Sequence, residues 1–302
     1  MPDRVLMVVA DDYGIGRETS RGILKLLHAG VVTGTVLLVN APGVDHDVAA
    51  WNDAGRPGEM GWHPNLNLDA PISASSQIST LIDGKGNFAT LGRLMLRLAT
   101  GQVCYRELVI ELLAQLQRFH DLVGAPPTLV NGHKHIHVFP MIRDALAAVL
   151  RRYGLRPYVR RITEPRTCLW NIPGARLKRL FLTTLGNRAS VDFDREGFPG
   201  NDTLAGITDP KWVSDPAFFA RWLARVPGRV VELAVHPGHR DESLIGRDCT
   251  AHDGQLERRV AEWKLLNAPE FMVACRQAGF TLQSAATMYS PHERNGYLHV
   301  AA

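Results

Sequence analysis

Val5-Leu6-Met7-Val8-Val9-Ala10-Asp11-Asp12-Tyr13-Gly14 sets six aliphatic residues in a row and ends them on two carboxylates. An apolar run without polar alternation reads as a strand covered on both faces, as in a parallel sheet flanked by helices. Residues 17–29 follow as a helix with Ile23, Leu24, Leu26 and Leu27 on one side and Gly30 as its stop. A second apolar run over 31–39 reaches Asn40, completing one β-α-β unit.

The alternation continues. A helix near 44–54 precedes a short strand ending at Gly61-Trp62-His63, and a looser segment, 64–104, is rich in Ser, Gly and Asp. Leu108, Leu112, Leu113, Leu116 and Phe119 mark a helix over 105–123, which feeds a strand over 128–137. A helix over 141–152 and a strand over 156–162 come next, then an irregular segment, 163–212, punctuated by Pro165, Pro173, Pro199 and Gly200. A helix over 215–225, a strand over 230–236, helices over 255–266 and 269–277 and a last strand over 280–284 complete the pattern. Strands and helices alternating in a right-handed sense close most simply into a distorted, TIM-barrel-like (β/α) barrel of the α/β class. The expected organisation is one catalytic barrel domain over 1–288 with an irregular insertion near 163–212, and a peripheral tail over 289–302.

Composition is that of a globular chain. The chain has 302 residues, 45% hydrophobic and 21% charged, which excludes disordered, collagenous and coiled-coil classes. Basic residues (34) barely outnumber acidic ones (30), so the net charge of +4 comes without the basic block that nucleic-acid binding requires. Cys104, Cys168, Cys249 and Cys275 form no Cys-x-x-Cys pair and read as reduced thiols rather than a disulfide scaffold or a thiolate zinc site. The first apolar run is too short for a signal peptide, and no stretch approaches the ~18 apolar residues that span a bilayer. The expected location is cytoplasmic, and a homodimer is the base-rate expectation. Arg176-Leu177-Lys178-Arg179-Leu180-Phe181-Leu182-Thr183-Thr184-Leu185 is both basic and apolar. It reads as a solvated helix with one packed face, or as a segment for peripheral contact with a membrane or a lipid-linked sugar.

In a β/α barrel the reactive groups sit where strands end. Asp11 and Asp12, His63, the cluster His133, His135 and His137, the pair Arg160 and Arg161, and His236 all fall at such ends. If strand geometry persists, Asp11 and Asp12 point to opposite faces and divide metal binding from proton transfer. A two-residue period places the three clustered imidazoles on one strand face. A lone histidine is more often a satisfied core residue; three on one face are hard to explain by packing, because each buried ring needs a partner. Imidazole with carboxylate suits Zn, Co, Ni, Fe or Mn, whereas Mg prefers oxygen ligands. His236, before Pro237-Gly238, reads as a turn residue or as a general acid.

Asp11-Asp12-Tyr13-Gly14, Gly61-Trp62-His63-Pro64-Asn65-Leu66, Asn131-Gly132-His133-Lys134-His135-Ile136-His137 and His236-Pro237-Gly238 resemble the four successive motifs of the YdjC-like carbohydrate deacetylases, which include the chitooligosaccharide deacetylases. The likeness extends over most of residues 4–285. Asn131-Gly132-His133 and Asn201-Asp202-Thr203-Leu204-Ala205-Gly206 look closer to the branch associated with hopanoid biosynthesis. The resemblance implies a distorted barrel of the glycoside hydrolase/deacetylase type holding one divalent metal, magnesium in the family, on Asp12, His63 and His133. It further implies Asp11 as base, His236 as acid and Arg160 as a partner of Asp11 or the substrate. Tyr13, Asn65, His135 and His137 are then candidate substrate contacts. Tyr13 replaces the family's usual Phe, Trp62 its Leu, and Asn131-Gly132 its Asp-Ser; these changes alter pocket walls and spare every implied ligand.

The function so implied is metal-dependent removal of an N-acetyl group from a chitooligosaccharide or an N-acetylglucosaminyl conjugate. Two other classes use the same residues. A different metal-dependent barrel enzyme, such as a sugar isomerase or phosphoesterase, shares the rim but releases no acetate; a non-catalytic metal-binding protein has no use for an additional unligated Asp and His.

Overall fold

The computed structural model describes residues 4–289. Its core is an eight-stranded, wholly parallel sheet curled into a half-barrel. The strands are β1 (Arg4–Tyr13), β2 (Gly34–Leu37), β3 (Glu59–Trp62), β4 (Leu129–Val130), β5 (Tyr158–Val159), β6 (Thr203–Ala205), β7 (Val230–Val235) and β8 (Phe280–Leu282). Their order is β5-β4-β3-β2-β1-β7-β6, with β8 beside β1. β7 pairs along Val5 to Ala10, so β8, against Arg4 to Leu6, and β2, against Val9 to Tyr13, share the other edge of β1. Between the outermost strands, Val159 N–H donates to Pro199 O (2.8 Å) and Leu204 N–H to Thr163 O (2.9 Å). Loop bonds rather than a strand ladder thus span the gap in the curl.

Eleven helices pack around this sheet among the described residues: α1 (Arg17–His28), α2 (Val44–Asp53), α3 (Leu91–Ala99), α4 (Tyr105–Val123), α5 (Pro140–Arg152), α6 (Arg166–Asn171), α7 (Arg176–Arg195), α8 (Phe218–Leu223), α9 (Gln255–Asn267), α10 (Pro269–Gln277) and α11 (Ala285–Met288). β1 shows why the buried run is needed. Leu6, Val8 and Ala10 join the large cluster under the helices, while Val5, Met7 and Val9 join Val36, Leu129, Tyr158 and Val230 inside the curl. Each large apolar side chain so buried contributes ~1.5–3 kcal/mol.

Several strands are shorter than the apolar runs that announce them. The strand expected over 128–137 is only Leu129–Val130, because the chain leaves the sheet once Asn131 has bonded to Trp62 O. The strand expected over 156–162 shrinks to Tyr158–Val159 and that over 31–39 to Gly34–Leu37. Helix α3 lies within the segment read as loose. Segment 163–212 is not simply irregular: it contains α6, the twenty-residue α7 and β6. Three residues are too few for β6 to show a period. The expected peripheral tail lies outside the described residues beyond Tyr289.

Helix α7 crosses the exit of β5 at Gly186, where an added Cβ would lie 2.0 Å from Ile162 O. Gly186→Ala is therefore expected to destabilise the fold by ~1–3 kcal/mol despite alanine's better helix propensity, read as a lower urea midpoint at unchanged slope.

Candidate functional site

The inward series of β1 continues past Val9 to Asp11, and that of β5 past Tyr158 to Arg160. Asp11, Arg160 and Glu232 of β7 meet there in a buried charge network. Arg160 Nη1 donates to Asp11 Oδ2 (2.6 Å), Nη2 to Asp11 Oδ1 (2.7 Å) and Nε to Glu232 Oε1 (2.5 Å). Tyr158 Oη donates to Glu232 Oε2 (2.6 Å), and Asn131 Nδ2 donates to Asp11 Oδ1 (3.3 Å). Burial opposes the guanidinium charge, but Asp11 and Glu232 outweigh it and raise its affinity for the proton. Burial pushes the Glu232 carboxyl up in spite of Arg160.

At Asp12 the ladder with β2 is interrupted, and Asp12 takes a left-handed φ of 70°. That bulge overturns the simple alternation: both aspartates line one pocket of about 70 Å³. Asp12 Oδ1 lies 3.3 Å from His63 Nε2 and 2.9 Å from His133 Nδ1. One ligand atom from each of these three buried residues falls within 4.8 Å of the others. His63 Nδ1 is 2.7 Å from Asn131 O, and a carbonyl can only accept, so Nδ1 carries the hydrogen. In the neutral ring the Nε2 lone pair then faces a carboxylate oxygen, an arrangement that a cation would stabilise. Buried His133 Nε2 has no hydrogen-bond partner, and burial holds this ring below the usual histidine range. Burial would raise Asp12, but Arg259 and His133 keep its carboxyl well below the usual range. The donor set fits a divalent ion of the imidazole-binding kind.

The three clustered histidines do not share a strand face. After β4 the chain forms a short turn of 3-10 helix, with Lys134 and His135 in the left-handed region at φ 52° and 61°. His133 N–H donates to Pro64 O, and Gly132 N–H donates to His137 Nδ1 (2.9 Å). His137 Nε2 then donates to Arg160 O (3.1 Å), so both ring nitrogens are satisfied away from the pocket; burial brings this ring down to about 3. His135 lines the pocket, and its buried Nδ1 has no partner. Tyr13 and Asn65 are buried outside the pocket lining. Tyr13 Oη donates to Asp47 O, and Asn65 Nδ2 donates to Asn40 Oδ1 and Leu68 O, tying down the loop after β3. Arg161 is likewise remote, bonded to Asp194 and Phe198 O.

His236 lies on the pocket, its Nε2 3.8 Å from Asp11 Oδ2. Arg258 Nη2 donates to His236 Nδ1 (3.2 Å), which leaves the neutral ring's hydrogen on Nε2. Burial, and then Arg258, hold this ring well below the usual histidine range. Arg258 and its neighbour Arg259 come from α9, and no sequence motif singles them out. Arg259 Nη2 donates to Asp12 Oδ2 (2.7 Å) and Asp248 Oδ2 (3.2 Å), while its buried Nη1 is unpartnered. Glu262 accepts from Arg258 Nε (2.7 Å) and from the His236 backbone. Lys178 of α7 completes the wall, its ammonium lowered to about 8 by burial, then by Arg258 and Lys134. Arg258, Arg259 and Glu262 carry one available signal, charges recurring on the face of α9 that also buries Leu266; Glu232 carries another, a lone charge inside the apolar run Val230–Val235.

Two outcomes follow from this geometry. His63→Ala or His133→Ala is expected to lower divalent-metal affinity by ~10²-fold or more in calorimetric titration, with the circular dichroism spectrum retained. Arg160→Ala strands two buried carboxylates and is expected to cost ~3–5 kcal/mol in chemical denaturation.

Known proteins resemble this chain in sequence and in fold. The chain is 32% identical to a carbohydrate deacetylase of Mus musculus, with 92% of each chain covered, and 29% identical to that of Homo sapiens, covering 93% and 90%. It is 28% identical to a chitooligosaccharide deacetylase of Yersinia pestis over 93% of this chain and 98% of the other. These relatives are hydrolases by name. A crystal structure titled as a putative cellobiose-phosphate cleavage protein of Enterococcus faecalis shares the fold, with a TM-score of 0.74 at 19% identity over 95% of this chain and 99% of that one. The profile of the family described as YdjC-like protein matches residues 5–277, and the chain belongs to that family.

Proposed function

We propose that this chain hydrolyses the N-acetyl group of an acetylated amino sugar, a chitooligosaccharide or an N-acetylglucosaminyl conjugate. The observation that carries the reading is the buried Asp12, His63 and His133 cluster in one pocket with Asp11 and His236. The deacetylase names of relatives matched over most of both chains support the reaction. They weigh against isomerase, phosphoesterase and purely metal-binding readings. Four free cysteines fit a reducing, cytoplasmic compartment, and no helix among the described residues is long and apolar enough to cross a membrane.

Asp12, His63 and His133 would hold one divalent ion, whose chemistry at this place would be to acidify water and polarise the acetamide carbonyl. The imidazole-rich donor set favours Zn, Co, Ni or Mn over the Mg that the family likeness implies. Asp11 is the base: Arg160 grips both its oxygens from behind, fixing the carboxylate toward the pocket where water loses its proton. His236 is the acid for the departing amine, with Nε2 facing the pocket. To donate, its ring must first gain a second proton at Nδ1, which turns Arg258 away. His135 lines the pocket and is the clustered histidine assigned to substrate contact.

The decisive assay is acetate release from N,N′-diacetylchitobiose, N-acetylglucosamine and an N-acetylglucosaminyl lipid by metal-stripped protein restored with each ion in turn. Asp11→Asn and His236→Ala are expected to lower kcat by ~10²–10⁴-fold at unchanged metal loading; normal turnover by either removes its role. Arg258→Gln relieves a positive charge on His236, raises the ring's affinity for a proton and is expected to extend the alkaline limb of kcat to higher pH. An unmoved limb would reassign His236 as a neutral hydrogen-bond donor.

A further inference from the structure

Helix α7 has two apolar faces. Arg179, Leu182, Gly186, Ala189 and Phe193 recur at helical spacing and are buried against the barrel. Leu177, Leu180, Phe181, Thr184, Arg188 and Val191 recur on the opposite side. Leu177 is 84% exposed, Leu180 52%, Phe181 51% and Val191 49%, and Trp170 of α6, 67% exposed, is joined to the start of the helix by the Arg176 to Trp170 O bond. Apart from a tilted contact of Phe181 with the Phe139 ring, several large apolar side chains on this face are open to solvent, the mark of an interaction surface.

Charge identifies its kind. Residues 165–191 contain no aspartate or glutamate but five basic residues, of which only Arg179 is buried and paired, with Glu164. Arg166, Arg176 and Arg188 are exposed, and Lys178 is turned to the wall of the reaction pocket. The bordering carboxylates are already engaged: Asp209 accepts from Ala175 N–H, Asp192 pairs with Arg143 and Asp194 with Arg161. A symmetric contact with a second copy would set this positive patch against itself without a carboxylate to pair it. An anionic lipid surface offers both what the apolar stripe and what the basic residues need.

We infer that the α6–α7 face is a docking surface for an anionic bilayer, with Trp170, Leu177, Leu180 and Phe181 entering the headgroup boundary and Arg166, Arg176 and Arg188 meeting lipid phosphates. Lys178 of the same helix lines the reaction pocket, so docking places the pocket mouth beside the membrane. The inference goes beyond the proposed reaction and is independent of it, since its test reads binding rather than turnover.

The test is flotation of the full chain with vesicles of phosphatidylcholine alone or with about a third phosphatidylglycerol, at low and high salt. Enrichment on anionic vesicles that salt reverses is expected. Arg176→Ala with Arg188→Ala should lower partitioning by ~25-fold, about fivefold for each charge, and Leu177→Ser with Phe181→Ser by about tenfold or more. Both variants alter exposed side chains, so unchanged circular dichroism and unchanged turnover of a water-soluble substrate are expected. Equal flotation of wild type and variants, or none on anionic vesicles, overturns the inference. So does a concentration-dependent dimer in sedimentation that Leu177→Ser with Phe181→Ser dissolves, which would assign the face to self-association.

Discussion

A carboxylate at the end of a fully buried strand has to be paired or neutralised, and Arg160 meets that requirement for Asp11. Its planar guanidinium has donors on two edges, so one residue satisfies Asp11 through Nη1 and Nη2 and Glu232 through Nε. Tyr158 and Asn131 fill further acceptor positions on the two carboxylates. Without this network the inside of the curl near β1, β5 and β7 would hold unpaired charge, whose cost is that of about two buried aliphatic side chains. Asp11 can therefore be both rigid and exposed to the pocket.

The pocket is assembled outward from that point. The bulge at Asp12 turns a second carboxylate to the same side, where it meets His63 from the end of β3 and His133 from the turn after β4. Arg259 and Asp248 then bracket Asp12 and His133 from the far side. Backbone bonds orient the rings: Asn131 O fixes His63, and Pro64 O holds the backbone that carries His133. These outer contacts hold the donor atoms together in a form suited to an ion and limit the rotamers that the ligands would otherwise lose on binding one.

The strongly buried parts of the fold are legible in the residues. Val5 to Ala10 announces β1, the leucine spacing of 105–123 announces α4, and Asp12, His63 and His133 stand out because polar residues at the ends of apolar runs have few structural uses. The histidine triplet is legible as unusual but not as geometry. Its two-residue spacing suggests a strand, whereas two left-handed residues and the Gly132 to His137 bond send the three rings in different directions. Lys134 and His135 adopt that conformation because contacts elsewhere impose it, which no local propensity reports.

What the sequence determined by itself was the parallel α/β class, the carboxylate and imidazoles that gather in the pocket, and the family motifs. Each depends on residue type and local spacing, which survive in one dimension. What only the tertiary structure decided was the open curl of the sheet, the choice of Asp11 as the partner of Arg160 together with Glu232, and the arrival of Arg258, Arg259 and Lys178 from helices remote in sequence. Those depend on register and on which helix face meets which strand end. Such contacts join residues as far apart as Asp12 and Arg259, and their energy exists only once the chain between them has folded.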